Sequence, residues 1–333
     1  MRTFILPTKD ASIYQVYPNN NAGHDEILEV GKLERIGDYK AVRGLIYFPI
    51  VPADLPVGFS AKLRLNFASA SNLDNTQTLY AYPVSESWVE GTSYFYQTPK
   101  NVQDGATWNS ASTTAAWFTT GSSWITSVSG AVTLVDQPLT DVSMDVTDIV
   151  TDISSSTIPN YGFVLKLDDD TEASLIDKAN CKFFGKQTHT IFGPLLEICV
   201  DNEPFVTGSL VVLPSASAEI ATTTLKRTYH ATETARIRFL ARDKYPPKVF
   251  DLSQRYRAKF CLPQNSYYEI RDVAANTAVL PADEFSRISC DANGSFFTLD
   301  TTWLFINRTY AIWLKIDYGT ELEWIRVGEF RVK

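Results

Sequence analysis

The sequence predicts an all-β protein made of two antiparallel β domains in succession, and three observations lead there. Short runs of β-branched and aromatic residues recur along the whole chain, each bounded by Pro, Gly, Asn or Asp, without the 3.6-residue apolar period of helices. The chain has 333 residues, 44% of them hydrophobic and 13% aromatic, enough to bury a substantial core. Charge is divided unevenly: residues 1–225 hold 13 Lys/Arg against 25 Asp/Glu, a net of −12, and residues 226–333 hold 17 against 13, a net of +4.

In order, the predicted strands of the first part are ASIYQVY, DEILEVG, RGLIYFPI, AKLRLNF, TLYAYPV, GAVTLVD, YGFVLKL, CKFFGK and LLEICVD. Turn chemistry separates them at Pro18–Asn21, Pro52–Pro56, Asp168–Asp170 and Gly193-Pro194. VTDIVTDI is the one helix-like stretch, with Asp145 or Thr147 placed to cap a single turn. Strands at this spacing, with no helices between them, pair antiparallel in a sandwich or jelly roll. The stretch 202–222 clusters Pro, Gly, Ser and Ala around one short apolar strand, which puts a domain boundary at Glu203–Thr207. The first domain is then 1–203 and the second 207–333. Beyond the boundary, ARIRFLARD, YRAKFCLP, YYEIRDV, SFFTLD, TYAIWLKID and LEWIRVGEFRVK repeat the strand-and-turn rhythm, matching a seven-strand immunoglobulin-like sandwich. ARIRFLARD alternates, with Arg236, Arg238 and Leu240 opposite Ile237, Phe239 and Ala241.

Composition narrows the function classes. An acidic first part and a mildly basic second part argue against nucleic acid, which demands a concentrated basic face. The apolar runs are too short to span a membrane. MRTFILPTKD breaks at Pro7 and turns polar, so no signal peptide is expected. Cys181, Cys199, Cys261 and Cys290 have no metal-ligand spacing, and His24, His189 and His230 are scattered; no zinc site is expected and the thiols read as buried and reduced. The sequence holds no nucleophile elbow, no zinc-protease helix, no phosphate loop and no dinucleotide fingerprint, so no catalytic residue is assigned and the protein is expected not to be an enzyme.

The stretch Ala81–Trp124 holds four of the seven tryptophans in a Ser-, Thr-, Gly- and Asn-rich context. Trp88 and Trp108, beside the turns at Gly91 and Gly105, are read as core residues. Tyr94, Tyr96, Trp117 and Trp124 lie among polar neighbours and are the candidates for an exposed carbohydrate-binding or interface surface, where a flat ring stacks on a sugar or anchors a partner. Asp168-Asp169-Asp170 with Glu172 is the densest carboxylate cluster, but it lacks the alternate spacing and glycine of a calcium loop and reads as a solvated turn.

The first two hundred residues resemble the DNRLRE-type β-jelly-roll domain, a relative of carbohydrate-binding modules, through KDASIYQVYPNNNAGHDEILEVG, RGLIYFPI with SAKLRLNF, SWVEGT followed by GATWN, MDVTDIV and NYGFVLKL. The remainder, with RDKYPPKVF, LPQNSYYEIRD, SCDANGSFFTLD and NRTYAIWLKI, is similar to domains of virion structural proteins of tailed bacteriophages. The combined resemblance implies an N-terminal jelly roll and a C-terminal immunoglobulin-like sandwich in a non-enzymatic virion component of the neck, tail, baseplate or a fibre attachment point. It further implies homo-oligomeric assembly with other virion proteins, inside a host cytoplasm, where no export signal is needed. The alternative it implies is a carbohydrate-binding module for host-surface glycans. By analogy with such modules, Asp10, Glu29 and Asp201 would supply a calcium site; no other cofactor is implied.

Overall fold

The computed structural model describes residues 2–73, 76–95, 104–135, 139–200, 203–213, 218–244 and 260–333. The chain is all-β, with two short α-helices among the described residues. It divides into two compact units, Phe4–Ile198 and Cys199–Lys333, with Arg2 and Thr3 grouped in the second. The sequence reading assigned Arg2 and Thr3 to the first domain. They group otherwise because the Arg2 guanidinium pairs with Asp283 and the Thr3 hydroxyl donates to Asp300 Oδ2 at 2.9 Å.

The first unit is a sandwich of two sheets. The strands of its sheets are β1 (Arg2–Ile5), which joins this unit from Phe4 on, β2 (Lys9–Tyr14), β3 (Ile27–Arg35), β4 (Asp38–Tyr47), β5 (Ser60–Leu65), β6 (Phe67–Ser71), β7 (Gln77–Pro83), β8 (Gly130–Leu134), β9 (Val142–Asp145), β10 (Phe163–Leu167), β11 (Asn180–Phe184) and β12 (Leu195–Cys199), which belongs to it as far as Ile198. One sheet runs β1-β12-β5-β9; the larger runs β6-β11-β3-β4-β10-β7-β8, with β2 also paired to β4. The core between them interleaves Leu63, Leu65, Met144, Leu196 and Ile198 from the small sheet with Leu28, Val30, Ile46, Leu79, Phe163 and Phe183 from the large one. Helix α1 (Thr147–Ser154) adds Ile149, Val150 and Ile153 to this core. Its N-cap is Val146, with no side-chain cap; Asp145 instead accepts the Thr147 amide at 2.9 Å.

Strand β10 shows why the site forms on the far face of the large sheet. All five of its residues, FVLKL, are buried, so both faces of the sheet are covered there. Phe163, Leu165 and Leu167 belong to the inter-sheet core, while Val164 packs with Ala11, Ile13, Ala41 and Leu45 against Trp88, Trp108 and Trp117. The long β7–β8 connection, loop-rich and aromatic, therefore serves as the outer cover of this sheet.

The second unit also has two sheets. Its strands are β13 (Val211–Val212), β14 (Ala218–Thr222), β15 (Thr228–Tyr229), β16 (Thr234–Asp243), β17 (Phe260–Cys261), β18 (Ser266–Asp272), β19 (Thr277–Leu280), β20 (Ser289–Asp291), β21 (Gly294–Asp300), β22 (Thr309–Asp317) and β23 (Leu322–Val332). Among the described residues they order as β13-β17-β16-β21-β20, with β14 on β16, and as β15-β23-β22-β18-β19. Ile237, Phe239 and Ala241 of β16 are buried, and Leu240 is exposed on the opposite face. Tyr268 of β18 stacks on Phe297 of β21, ring centroids 3.9 Å apart and nearly parallel, which ties the two sheets together.

Candidate functional site

The aromatic segment closes over the large sheet through polar anchors as well as apolar packing. Trp88 is 2% exposed and its indole N–H donates to the Tyr161 carbonyl at 2.9 Å. Trp108 is buried, with the Arg43 guanidinium 4.8 Å from its ring. Arg43 lies at the same distance from the ring of Trp124, so a cation sits between two indole faces. The guanidinium is held by both oxygens of Glu172, at 3.0 and 2.6 Å, and donates to the Gly121 carbonyl at 2.7 Å. Gly121 has φ +88°, and a Cβ there would come within 2.7 Å of the guanidinium and 2.8 Å of the Trp108 ring; only glycine admits this closure.

These contacts correct the sequence reading of Trp117. It was expected to be exposed because Ser and Thr surround it, yet it is 5% exposed and its indole N–H donates to the Thr107 carbonyl at 2.8 Å. The polar neighbours satisfy the loop backbone and do not mark a wet face: Ser112 Oγ, for example, accepts the Ala115 amide at 3.1 Å. Trp124 is half-buried against Tyr82 and near the Lys166 ammonium. Trp88 and Trp108 pack in the same cluster as Trp117. Tyr96 lies outside the described residues. The Asp168–Glu172 cluster forms helix α2 (Asp169–Ala173), capped by Asp168, which accepts the Thr171 amide at 2.9 Å. Lys166 pairs with Asp169, and Glu172 is taken by Arg43, so these acids are structural partners of buried cations.

Tyr94 stands apart from the tryptophans: 51% exposed, it lines a cavity of about 310 Å³ with Phe95, Asp25, Glu26, Glu29 and Lys182. The cavity is assembled from the turn before β3, from β3 and β11, and from the aromatic segment. Glu29 and Lys182 face each other across the β3–β11 pairing, with Nζ to Oε1 at 3.1 Å. Asp25 is anchored by the Phe95 amide, 3.2 Å from each carboxylate oxygen, while burial and then the Glu29 charge push its pKa up to about 6. Phe95 in turn packs on Tyr14 and Tyr17.

Beside it lies a second buried carboxylate. Asp10 is 2% exposed; its Oδ2 accepts the Lys186 amide at 2.6 Å and its own amide donates to Glu90 Oε1 at 2.9 Å. Burial, reinforced by Glu90, raises its pKa to about 7. Lys186 reaches Glu90 at 2.8 Å, and Asn21 fastens the same loops by donating to the Glu90 and Ala106 carbonyls. Of the calcium set that the resemblance implies, the two described members have other partners. Glu29 is taken by Lys182, Asp10 by the Lys186 amide, Asp201 lies outside the described residues, and no three ligating side chains converge among the described residues. Lys182 and Lys186 place their ammonium groups beside Glu29 and Glu90.

Sequence reasoning missed Asp25, Glu26, Lys182 and Arg43. The acid-rich opening of DEILEVG was the available signal for the first two; the strand register that brings Lys182 opposite Glu29 leaves no local trace. No helix among the described residues is long and apolar enough to cross a membrane.

No protein-family model matches the chain, and no curated protein matches it. Among solved structures it is similar to a DUF4785 family protein from Legionella pneumophila, at 8% identity and a TM-score of 0.20, over 92% of this chain and 62% of that one. It is also similar to a beta-glucuronidase from Parabacteroides merdae, at 8% identity and a TM-score of 0.17, over 96% of this chain and 36% of that one. The chain spans about three fifths of the length of the first and about a third of the second. At these scores neither likeness bears on fold or activity.

Proposed function

We propose that this chain is a non-enzymatic structural component of a tailed-bacteriophage virion, a neck, tail, baseplate or fibre-attachment protein that works through contacts with other virion proteins and with copies of itself. In this reading Phe4–Ile198 is a DNRLRE-type jelly roll and Cys199–Lys333 an immunoglobulin-like sandwich. The observation that carries it, beside the order of the motifs, is how the aromatic segment is used. Trp88, Trp108 and Trp117 cover a sheet of their own unit, leaving charge rather than an indole platform on offer. The two units differ in that charge: Phe4–Ile198 holds 12 Lys/Arg against 22 Asp/Glu, and the rest of the chain 18 against 16. Opposite signs support docking between copies and with other chains.

The rival, a module gripping host-surface glycans, keeps one observation in its favour: the exposed Tyr94 ring at the rim of a polar cavity. Purified particles decide between them. Fixed stoichiometry of the chain in washed virions supports the structural reading. A chain absent from particles that binds glycans as a monomer overturns it.

A further inference from the structure

We propose that Cys261 and Cys290 are a disulfide-forming pair, reduced in a reducing compartment and joined Sγ to Sγ in an oxidising medium that holds small-molecule disulfides. The inference goes beyond the assembly reading and does not depend on it. Cys261 ends β17 and Cys290 lies in β20, strands separated by β16 and β21 in the sheet order. Their side chains nevertheless meet: each thiol lies within hydrogen-bonding reach of the other. Backbone pairing brings them together independently. Ser295 is the cross-strand partner of Cys290, and its Oγ accepts the amide of Leu262, the residue after Cys261, at 2.9 Å. Both cysteines are buried, at 0% and 1% exposure. Two sulfurs brought side by side from separate strands meet the first condition of a native disulfide, a short reach between them. No third ligating side chain gathers with them among the described residues, so the pair lacks the ligand set of a zinc site.

The bond would hold the segment that opens the second unit. Phe205 bridges Cys290 in parallel, and the Val206 amide donates to the Cys290 carbonyl at 2.9 Å. Further along, Val212 pairs with Cys261, and the Leu213 amide donates to the Cys261 carbonyl at 3.0 Å. Between these grips β13 is only Val211 and Val212, both exposed. A Cys261–Cys290 bond ties together the two backbones that grip this segment and closes the loop between them, which removes freedom from the unfolded chain. The chemistry is thiol–disulfide exchange. Cys261, whose Sγ donates to the Val211 carbonyl at 3.7 Å, is uncovered when β13 lifts. Its thiolate attacks one sulfur of glutathione disulfide, forms a mixed disulfide and expels one glutathione thiolate. The Cys290 thiolate then attacks the Cys261 sulfur and expels the second. The protons of the two cysteines end on the two glutathione thiolates, two electrons pass to glutathione, and the chain becomes lighter by two hydrogens. Burial pushes the Cys290 thiol up to about 12 and raises that of Cys261, so exchange is slow while β13 stays closed.

The test uses the full chain, purified with reductant and moved into a buffer of reduced and oxidised glutathione. Remaining thiols are alkylated in denaturant, and peptides are mapped by mass spectrometry without reduction. The expected result is a Cys261–Cys290 cross-linked peptide, with Cys181 and Cys199 alkylated. The oxidised chain should melt several degrees higher than the reduced one, and reductant should reverse the shift. Cys290→Ser should abolish that shift, and Cys181→Ser should keep it. Four alkylated cysteines, mixed disulfides with glutathione alone, or linkage through Cys181 or Cys199 each overturns the proposal. The peptide map is read on the unsubstituted chain, so it decides the matter even where Cys290→Ser fails to fold.

Discussion

At the residue scale, Arg43 and Trp108 show how a charged group becomes part of a core. The guanidinium is satisfied by Glu172 and the Gly121 carbonyl and covered by two indoles, so removing an indole costs packing and leaves the cation wetter. Trp108→Ala is expected to lower stability by about 3–5 kcal/mol, the range for a large aromatic removed from a core, read by denaturant unfolding. Wild-type stability in that variant would return Trp108 to the surface. The buried acids make a pH prediction. Asp10 titrates at about 7 in the folded chain against 3.8 normally, and Asp25 at about 6. Between pH 4 and 7 the folded chain therefore holds protons that the unfolded chain has released, and stability falls as pH rises through that window. Each pKa unit is worth about 1.4 kcal/mol. Melting should be higher at pH 5 than at pH 8, and Asp10→Asn, neutral at both, should reduce the difference. An unchanged slope in that variant would remove Asp10 as its source.

At the element scale, the β3–β4 hairpin carries a local conflict. Its two-residue turn, Ile36-Gly37, has φ of 54° at Ile36 and 77° at Gly37, the left-handed pair that suits Asn-Gly. A β-branched side chain in that region is strained by about 1–2 kcal/mol, and Ile36 is also almost fully exposed. Ile36→Asn should therefore raise stability by about 1 kcal/mol, measured by thermal unfolding; a loss would mean that Ile36 packs on something in the folded chain. This hairpin also shows what was legible. Alternation and β-branching in DEILEVG and RGLIYFPI were enough to find both strands, because those signals are local. YGFVLKL was likewise legible as a strand, whereas its burial on both faces, Lys166 included, was not. Short strands such as FASAS and VSMD were not legible, since small or polar residues there are held by their neighbours' ladders. Trp117 was misread because polar sequence neighbours were taken as polar spatial ones. The cavity was half-legible: Tyr94 and Glu29 were singled out separately, but their meeting depends on register and loop closure.

At the scale of the whole molecule, the membership of Arg2 is the feature least visible in sequence, where it reads as an ordinary start to the first domain. Its side chain is 1% exposed and pairs with Asp283, and its guanidinium lies 5.9 Å from the Phe285 ring. An ion pair with one partner fully buried gives little net stability, but breaking it strands the surviving charge. Here that survivor, Asp283, is 38% exposed and is partly rehydrated, so the loss is smaller than for a fully buried pair. Arg2→Ala is thus expected to cost about 1–3 kcal/mol through lost packing and hydrogen bonding, and to do so in the unit that contains Asp283. Hydrogen exchange separates the possibilities. Faster exchange in the described part of Cys199–Lys333, with Phe4–Ile198 unchanged, is the expected pattern. Loss of protection spread evenly over both units would mean that they unfold as one body, and that the charge contrast between them acts within a single cooperative molecule.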